Sequence, residues 1–151
     1  EGYYDVGDYI KVETYEGHVE ACGIKSTTVR TVNNEVVILP NSFIKQIINY
    51  SKDYYVSFYE FNICFEEDIK RVENVVLEKF IPLVKSLEHV GEVEYKGVQK
   101  LSESGITLRI QLTCVASERF EIKRMLNREI FKLLKKENIE IPYNQLTVHS
   151  K

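Results

Sequence analysis

The chain of 151 residues has no tryptophan, one methionine, three prolines and seven glycines. The glycines are scattered. No Gly-rich loop is there to cradle a phosphate, and no Gly-x-Ser-x-Gly elbow presents a nucleophile. Lysine and arginine (20) do not outnumber aspartate and glutamate (23), so the net charge is −3 and the pI is near 5.7. Phosphate contacts supply most of the affinity of a general nucleic-acid binder, and the basic excess they require is missing here. No apolar run approaches the roughly 20 residues a membrane-spanning helix needs, and no signal peptide is recognisable. The chain opens at Glu1 in mid-pattern, without Met, and so reads as a cut or processed piece. The lack of a span therefore carries no information about a longer parent.

Cysteine is also sparse. Cys22, Cys64 and Cys114 are odd in number and far apart, and no Cys-x-x-Cys pair occurs. Each lies in a strand-like stretch, where a free thiol behaves as a small hydrophobe. All three are read as buried core thiols in a reducing compartment. His18, His89 and His149 are widely separated, so no metal centre is expected. His18 follows a turn glycine and should be solvated. His89 should sit at a helix end, where the dipole favours a partly protonated imidazole.

What the chain does have is short apolar alternation, then a change of period. Residues 1–52 read as five short strands with turns between them. Tyr9–Tyr15 alternates, Glu16-Gly17 is read as a turn, strands over 18–25 and 27–32 follow, and Asn33-Asn34 makes a tight turn before a strand over 35–39. Val36–Leu39 then runs into Pro40-Asn41-Ser42. Proline presets φ and removes a ladder donor, so the strand should end there. Asn41 can bond its own backbone and tolerates unusual φ. A further apolar run, Phe43–Tyr50, makes the fifth strand. Five strands in so short a stretch suggest a small twisted barrel, since closure removes exposed edges.

From Asp53 the pattern changes. Tyr55–Phe65 alternates as a long strand. Ile69, Val72, Val76 and Phe80 then follow helical spacing behind Glu66, Glu67 and Asp68, and Pro82 should end or kink that helix. Val93–Leu101 and Gly105–Val115 read as strands. The second splits cleanly into apolar Ile106, Leu108, Ile110, Leu112, Cys114 and polar Thr107, Arg109, Gln111, Thr113, which implies a sheet with one packed and one wet face. Ser117 is the expected N-cap of a last helix. Ile122, Met125, Leu126, Glu129, Leu133 and Leu134 trace its stripe. Ile139–Val148 offers a final extended segment. The order β-α-β-β-α-β is the split βαβ of ferredoxin-like domains. No catalytic constellation stands out. Glu66-Glu67-Asp68 is explained by the helix start, and Arg109 with its polar neighbours by a solvated sheet face.

The ordered blocks Val6-Gly7-Asp8-Tyr9-Ile10, Gly17-His18-Val19-Glu20, Ser26-Thr27-Thr28-Val29-Arg30-Thr31, Val37-Ile38-Leu39-Pro40-Asn41-Ser42 and Ile47-Ile48-Asn49-Tyr50-Ser51 resemble the β domain of the MscS family, the mechanosensitive channels of small conductance. Ile139-Glu140-Ile141-Pro142-Tyr143-Asn144-Gln145 is similar to that family's Pro-Tyr-Pro-Gln tail, with Asn144 in place of the second proline. The resemblance implies a small Sm-like β barrel over residues 1–52, a ferredoxin-like α/β domain over 53–142, and an extended segment over 143–151 that starts a floor barrel. It marks Gly7, Asp8, Gly17, Thr27, Thr28, Arg30 and Asn49 as β-domain motif residues. It makes Pro40, Asn41 and Ser42 a candidate coupling turn facing the pore helix. It also implies a parent in the cell membrane, with its helices ahead of residue 1, assembled from seven copies around a cytoplasmic cage. Loss of those helices leaves room for a monomeric fragment. No enzyme activity, cofactor or metal is expected, and no nucleic-acid partner. The rival readings are an Sm-like nucleic-acid-binding module and a regulatory ligand-binding module on the ferredoxin-like half.

Overall fold

The computed structural model describes residues 2–143. They form two compact units, the first reaching to Tyr55 with Val115–Glu118, the second holding Val56–Cys114 and the residues from Arg119 on.

The first unit is built on five strands: β1 (Tyr9–Val12), β2 (Tyr15–Cys22), β3 (Ser26–Thr31), β4 (Val36–Pro40) and β5 (Ile47–Asn49). They form one sheet in the order β4-β3-β2-β1-β5, with every pair antiparallel. Period-two alternation sends Ile10, Val12, Val19, Val29 and Leu39 into one core, with Tyr4, Val37, Ile44 and Ile47 packed at its margin. The reverse face keeps the polar residues of β2 and β3. There Arg30 reaches Glu20 through a 2.7 Å Nε–Oε2 bond.

The first hairpin turns earlier than its glycine suggests. Val12 is opposite Tyr15, so the turn is Glu13-Thr14, with Glu13 at φ 56°. Glu16 and Gly17 lie inside β2. Gly17 is there for space rather than for a turn. It sits between Ile10 and Thr31, and a Cβ would come within 2.0 Å of the Arg30 carbonyl oxygen. The Asn33-Asn34 turn forms as its residues suggest, with Asn34 at φ 64° and Thr31 N–H bonded to the Glu35 carbonyl at 2.9 Å. The apolar run after Pro40 gives only a three-residue strand, because Asn41–Phe43 is a single tight helical turn. Cys22 is exposed, Cys64 half-buried and Cys114 buried. The expectation of three core thiols therefore holds for Cys114 and fails for Cys22, which ends β2 beyond the core.

The second unit has β6 (Tyr55–Ile63) from its second residue on, a helical run, β7 (Val90–Leu101), β8 (Ile106–Cys114) and α3 (Arg119–Lys136). Its sheet has the order β6-β8-β7, with β7 and β8 antiparallel. The helical run comprises α1 (Ile69–Val75), a wider turn over Val76–Phe80 and α2 (Ile81–Lys85). Asp68 caps it, accepting the Lys70 and Arg71 N–H groups, while Glu67 accepts the Glu140 N–H at 2.8 Å. Pro82 does not end the helix. The Ile81 N–H reaches back five residues to the Val76 carbonyl. That wider turn places Pro82 in the first turn of α2, where a missing donor is tolerated.

Tyr59, Phe61 and Phe80 meet in tilted and edge-on contacts at 6.1–6.3 Å between ring centres, and Val72, Val76, Leu108, Ile110, Leu112, Leu126 and Leu134 are among the residues buried in the same unit. Met125 is exposed and Ile130 takes its place in the α3 stripe. Ser117 lies within a short turn, Ala116–Glu118, that precedes α3, rather than at its cap. His89 has φ 71° in the connection from α2 to β7. Thr107, expected on the wet face, is buried and donates to Asn62 Oδ1 at 2.5 Å. Of the final extended segment, residues 139–143 form no strand, although Cys64 N–H bonds the Glu140 carbonyl at 3.1 Å. The rest of that segment, with Asn144, Gln145 and His149, lies outside the described residues. Among those residues no helix is long and apolar enough to cross a membrane.

Gly17→Ala should destabilise the first unit by at least about 2 kcal/mol, since the new methyl meets backbone rather than a movable side chain. Amide hydrogen exchange would read this as lost protection across β1–β3 with β8 unchanged. Unaltered β1–β3 protection would contradict it.

Candidate functional site

Two hydrogen-bonded clusters in the first unit gather four of the ten residues the sequence singles out, Thr27 with Asn41 and Asp8 with Asn49. The first is built around Thr27, which β3 carries into the interior with no solvent exposure. Its Oγ1 donates to Asn41 Oδ1 at 2.8 Å. A hydroxyl has one hydrogen, so the 2.5 Å contact between Tyr4 and Thr27 hydroxyls must use the Tyr4 hydrogen. Asn41 is the hub. Its Nδ2 donates to the carbonyls of Gly23 at 3.0 Å and Ile24 at 2.9 Å, which fixes the orientation of the amide. Its backbone N–H bonds the Lys25 carbonyl at 2.8 Å. Asn41 thus ties the turn after β4 to the loop between β2 and β3. This corrects the expectation that it bonds its own backbone. Pro40 closes β4 with φ −59°, and Ser42 is exposed on the turn.

The second cluster is built around Asn49 at the end of β5. Its Nδ2 donates to the Tyr3 carbonyl at 2.8 Å and to Asp8 Oδ2 at 3.1 Å. Its Oδ1 accepts the Ser51 N–H at 2.9 Å, and Ser51 Oγ accepts the Tyr9 N–H at 2.8 Å. Asp8 Oδ2 also accepts the Asp5 N–H at 3.0 Å, and Lys52 Nζ lies 3.8 Å from it. The Asp5 N–H, then the Asn49 amide, hold the Asp8 carboxyl below its ordinary value, with Lys52 assisting and partial burial opposing. Gly7, at φ 97°, bends the chain so that its N–H reaches the Val19 carbonyl at 2.8 Å.

Thr28 and Arg30 stand apart from both clusters, Thr28 paired opposite Ile38 and Arg30 held by Glu20 and, through Nη1, by Asn34 at 3.4 Å. Tyr3, Tyr4, Ser51 and Lys52 were not legible as site residues. The one signal for the first two is a pair of aromatics ahead of the first strand, in a stretch without periodicity. Among the described residues no group of three or more His, Cys, Asp or Glu is placed to hold a metal ion.

Residues 1–52 match the family model for the β domain of mechanosensitive ion channels. A small-conductance mechanosensitive channel of Caldanaerobacter subterraneus is 24% identical over 149 residues, 98% of this chain and 53% of that protein. An uncharacterised MscS family protein of Synechocystis is 29% identical, over 97% of this chain and 50% of that one. The first 52 residues thus match the β domain of mechanosensitive ion channels, and nearly the whole chain is similar to MscS family proteins. The crystal structure of Helicobacter pylori MscS in its closed state has the same fold, with a TM-score of 0.79 at 22% identity, covering 99% of this chain and 60% of that one. The chain spans about half the length of the relatives it matches.

The sign of the pH response follows from Asp8. A carboxyl held low in the fold contributes stability that is complete above its unfolded value, ordinarily 3.8, and is lost as pH falls through the lower folded value. Exchange of the Asn49 side-chain amide, taken relative to its intrinsic rate at each pH, should therefore be flat from neutrality to about pH 4 and rise below it. Asp8→Asn should abolish that acid-specific rise. An Asp8→Asn profile identical to wild type would contradict the assignment.

Proposed function

We propose that this chain is the cytoplasmic cage portion of a mechanosensitive channel of the MscS type, contributing subunit assembly and an ion vestibule. The observation that carries the reading is the likeness to Helicobacter pylori MscS, which runs through both units over 99% of the chain. In this reading residues 1–52 are the Sm-like β domain and 53–142 the ferredoxin-like domain. The sheet order β6-β8-β7 suits the latter, because a split βαβ unit inserts its third strand beside its first. Residues 143–151 would lead toward a floor barrel.

The parent lies in the cell membrane, its helices ahead of this segment, and seven copies form the ring. Edge strands with unpaired backbone groups are natural seams between copies. In the isolated sheet β4 and β5 are those edges, and β4 exposes Ile38 at 66%. Gating is physical rather than chemical. Tension favours the state of larger in-plane area, and the cage responds through whatever joins it to the pore. The Pro40-Asn41-Ser42 turn is the proposed joint. Asn41 is committed to Gly23, Ile24 and Thr27, so Asn41→Ala would mix a coupling effect with a local structural one. Ser42 makes a cleaner probe.

Suction should activate current in patches from cells that lack their own tension-gated channels and express the full-length parent. Silence with confirmed surface expression would overturn the channel reading in favour of a regulatory membrane protein. In an active parent, Ser42→Ala should shift the threshold tension, and an unchanged threshold would remove this turn from the coupling path.

A further inference from the structure

We infer that Tyr4 is the positioning residue that latches the segment entering the first unit onto the Asn41 turn. The inference rests on the channel reading above and adds to it the residue through which the joint is fastened. Tyr4 belongs to none of the motif blocks that carry the family resemblance. Its ring packs at the margin of the β core, and its hydroxyl reaches Thr27 at 2.5 Å. Thr27 gives its only hydrogen to Asn41, so its remaining capacity is to accept, and Tyr4 fills it. The bonds then run in one direction. Tyr4 donates to Thr27, Thr27 to Asn41, and Asn41 to the carbonyls of Gly23 and Ile24. In such a chain each bond polarises the next.

The neighbouring residue is held from a different part of the sheet. The Tyr3 carbonyl accepts from Asn49 of β5, while Tyr4 is held through β3 and the turn after β4. Two consecutive residues are thus fastened to two separate parts of the same sheet. On either side the backbone bends at positive φ, 87° at Gly2 and 97° at Gly7, conformations that glycine adopts freely. A displacement arriving from the chain ahead of Tyr3 meets this latch before it meets any strand. Tyr4→Phe removes the hydroxyl and keeps the ring. Thr27→Val removes the acceptor at nearly constant volume, and Thr27→Ser retains it.

Two readouts test this. In the 151-residue chain, Tyr4→Phe should raise amide exchange of residues 3–6 by about tenfold, the size of one net hydrogen bond, and leave β6–β8 amides unmoved. Thr27→Val should do the same, the double variant should add little, and Thr27→Ser should behave as wild type. In the parent, Tyr4→Phe should shift the threshold tension and Thr27→Ser should not. Unchanged exchange in Tyr4→Phe would overturn the latch. Faster exchange with an unchanged threshold would overturn its role in coupling. A wild-type parent that passes no current would remove the channel reading and the gating role with it, while the exchange result still decides the latch.

Discussion

Thr27 carries a hydroxyl into the interior of the first unit, and a polar group that has left water must be bonded there or its burial is penalised by about 1–3 kcal/mol. That requirement organises the β4 end of the sheet. The hydrogen goes to Asn41, whose amide is then oriented toward the two carbonyls of the β2–β3 loop. The lone pair calls for a donor, and the segment before β1 supplies it from Tyr4. One buried hydroxyl thus fixes a turn, a loop and the path by which the chain enters the sheet. The apolar core of Ile10, Val12, Val19, Val29 and Leu39 provides most of the burial. It does not by itself dictate where the connections lie.

The second unit solves a plainer problem. Two helical faces and one sheet face close over an aromatic and aliphatic core. The polar edge of that arrangement is settled by pairs. Arg109 lies 2.7 Å from Glu60 and 4.5 Å from the centre of the Phe58 ring, so the outward cation of β8 is occupied within its own sheet. Lys79 meets Glu137 at 2.5 Å, and Arg71 donates to the Glu137 carbonyl, which joins the first helical run to the end of α3. Exposed pairs of this kind each add little stability. They define geometry more than they hold it.

Much of this was legible in the chain itself. Strict alternation in Ile106–Cys114 fixed which residues of β8 face inward, and the Pro40 break marked the end of β4, because both follow from local sterics and periodicity. Four features were hidden; three depend on a partner distant in sequence, and the other on a local widening of a helix. Gly17 looked like a turn residue, yet its role is set by the Arg30 carbonyl. Thr107 looked solvated, yet Asn62, 45 residues away, takes it inside. Pro82 looked like a stop, but a single wider turn absorbs it. In the candidate site, Asn41, Thr27, Asp8 and Asn49 were individually marked by family pattern. Their grouping into two clusters, and the part of Tyr3 and Tyr4 in them, required the register of the sheet.

If the latch and the turn form one mechanical body, their separation must survive gating. The direct measurement is the distance between genetically encoded spin labels at Val6 and Phe43, both exposed, with labelled subunits diluted among unlabelled ones in the full-length parent. Electron–electron resonance in resting and tension-activated membranes should give the same narrow distribution in both. A shift or broadening on activation would show that the segment slides on the sheet, and would contradict the account.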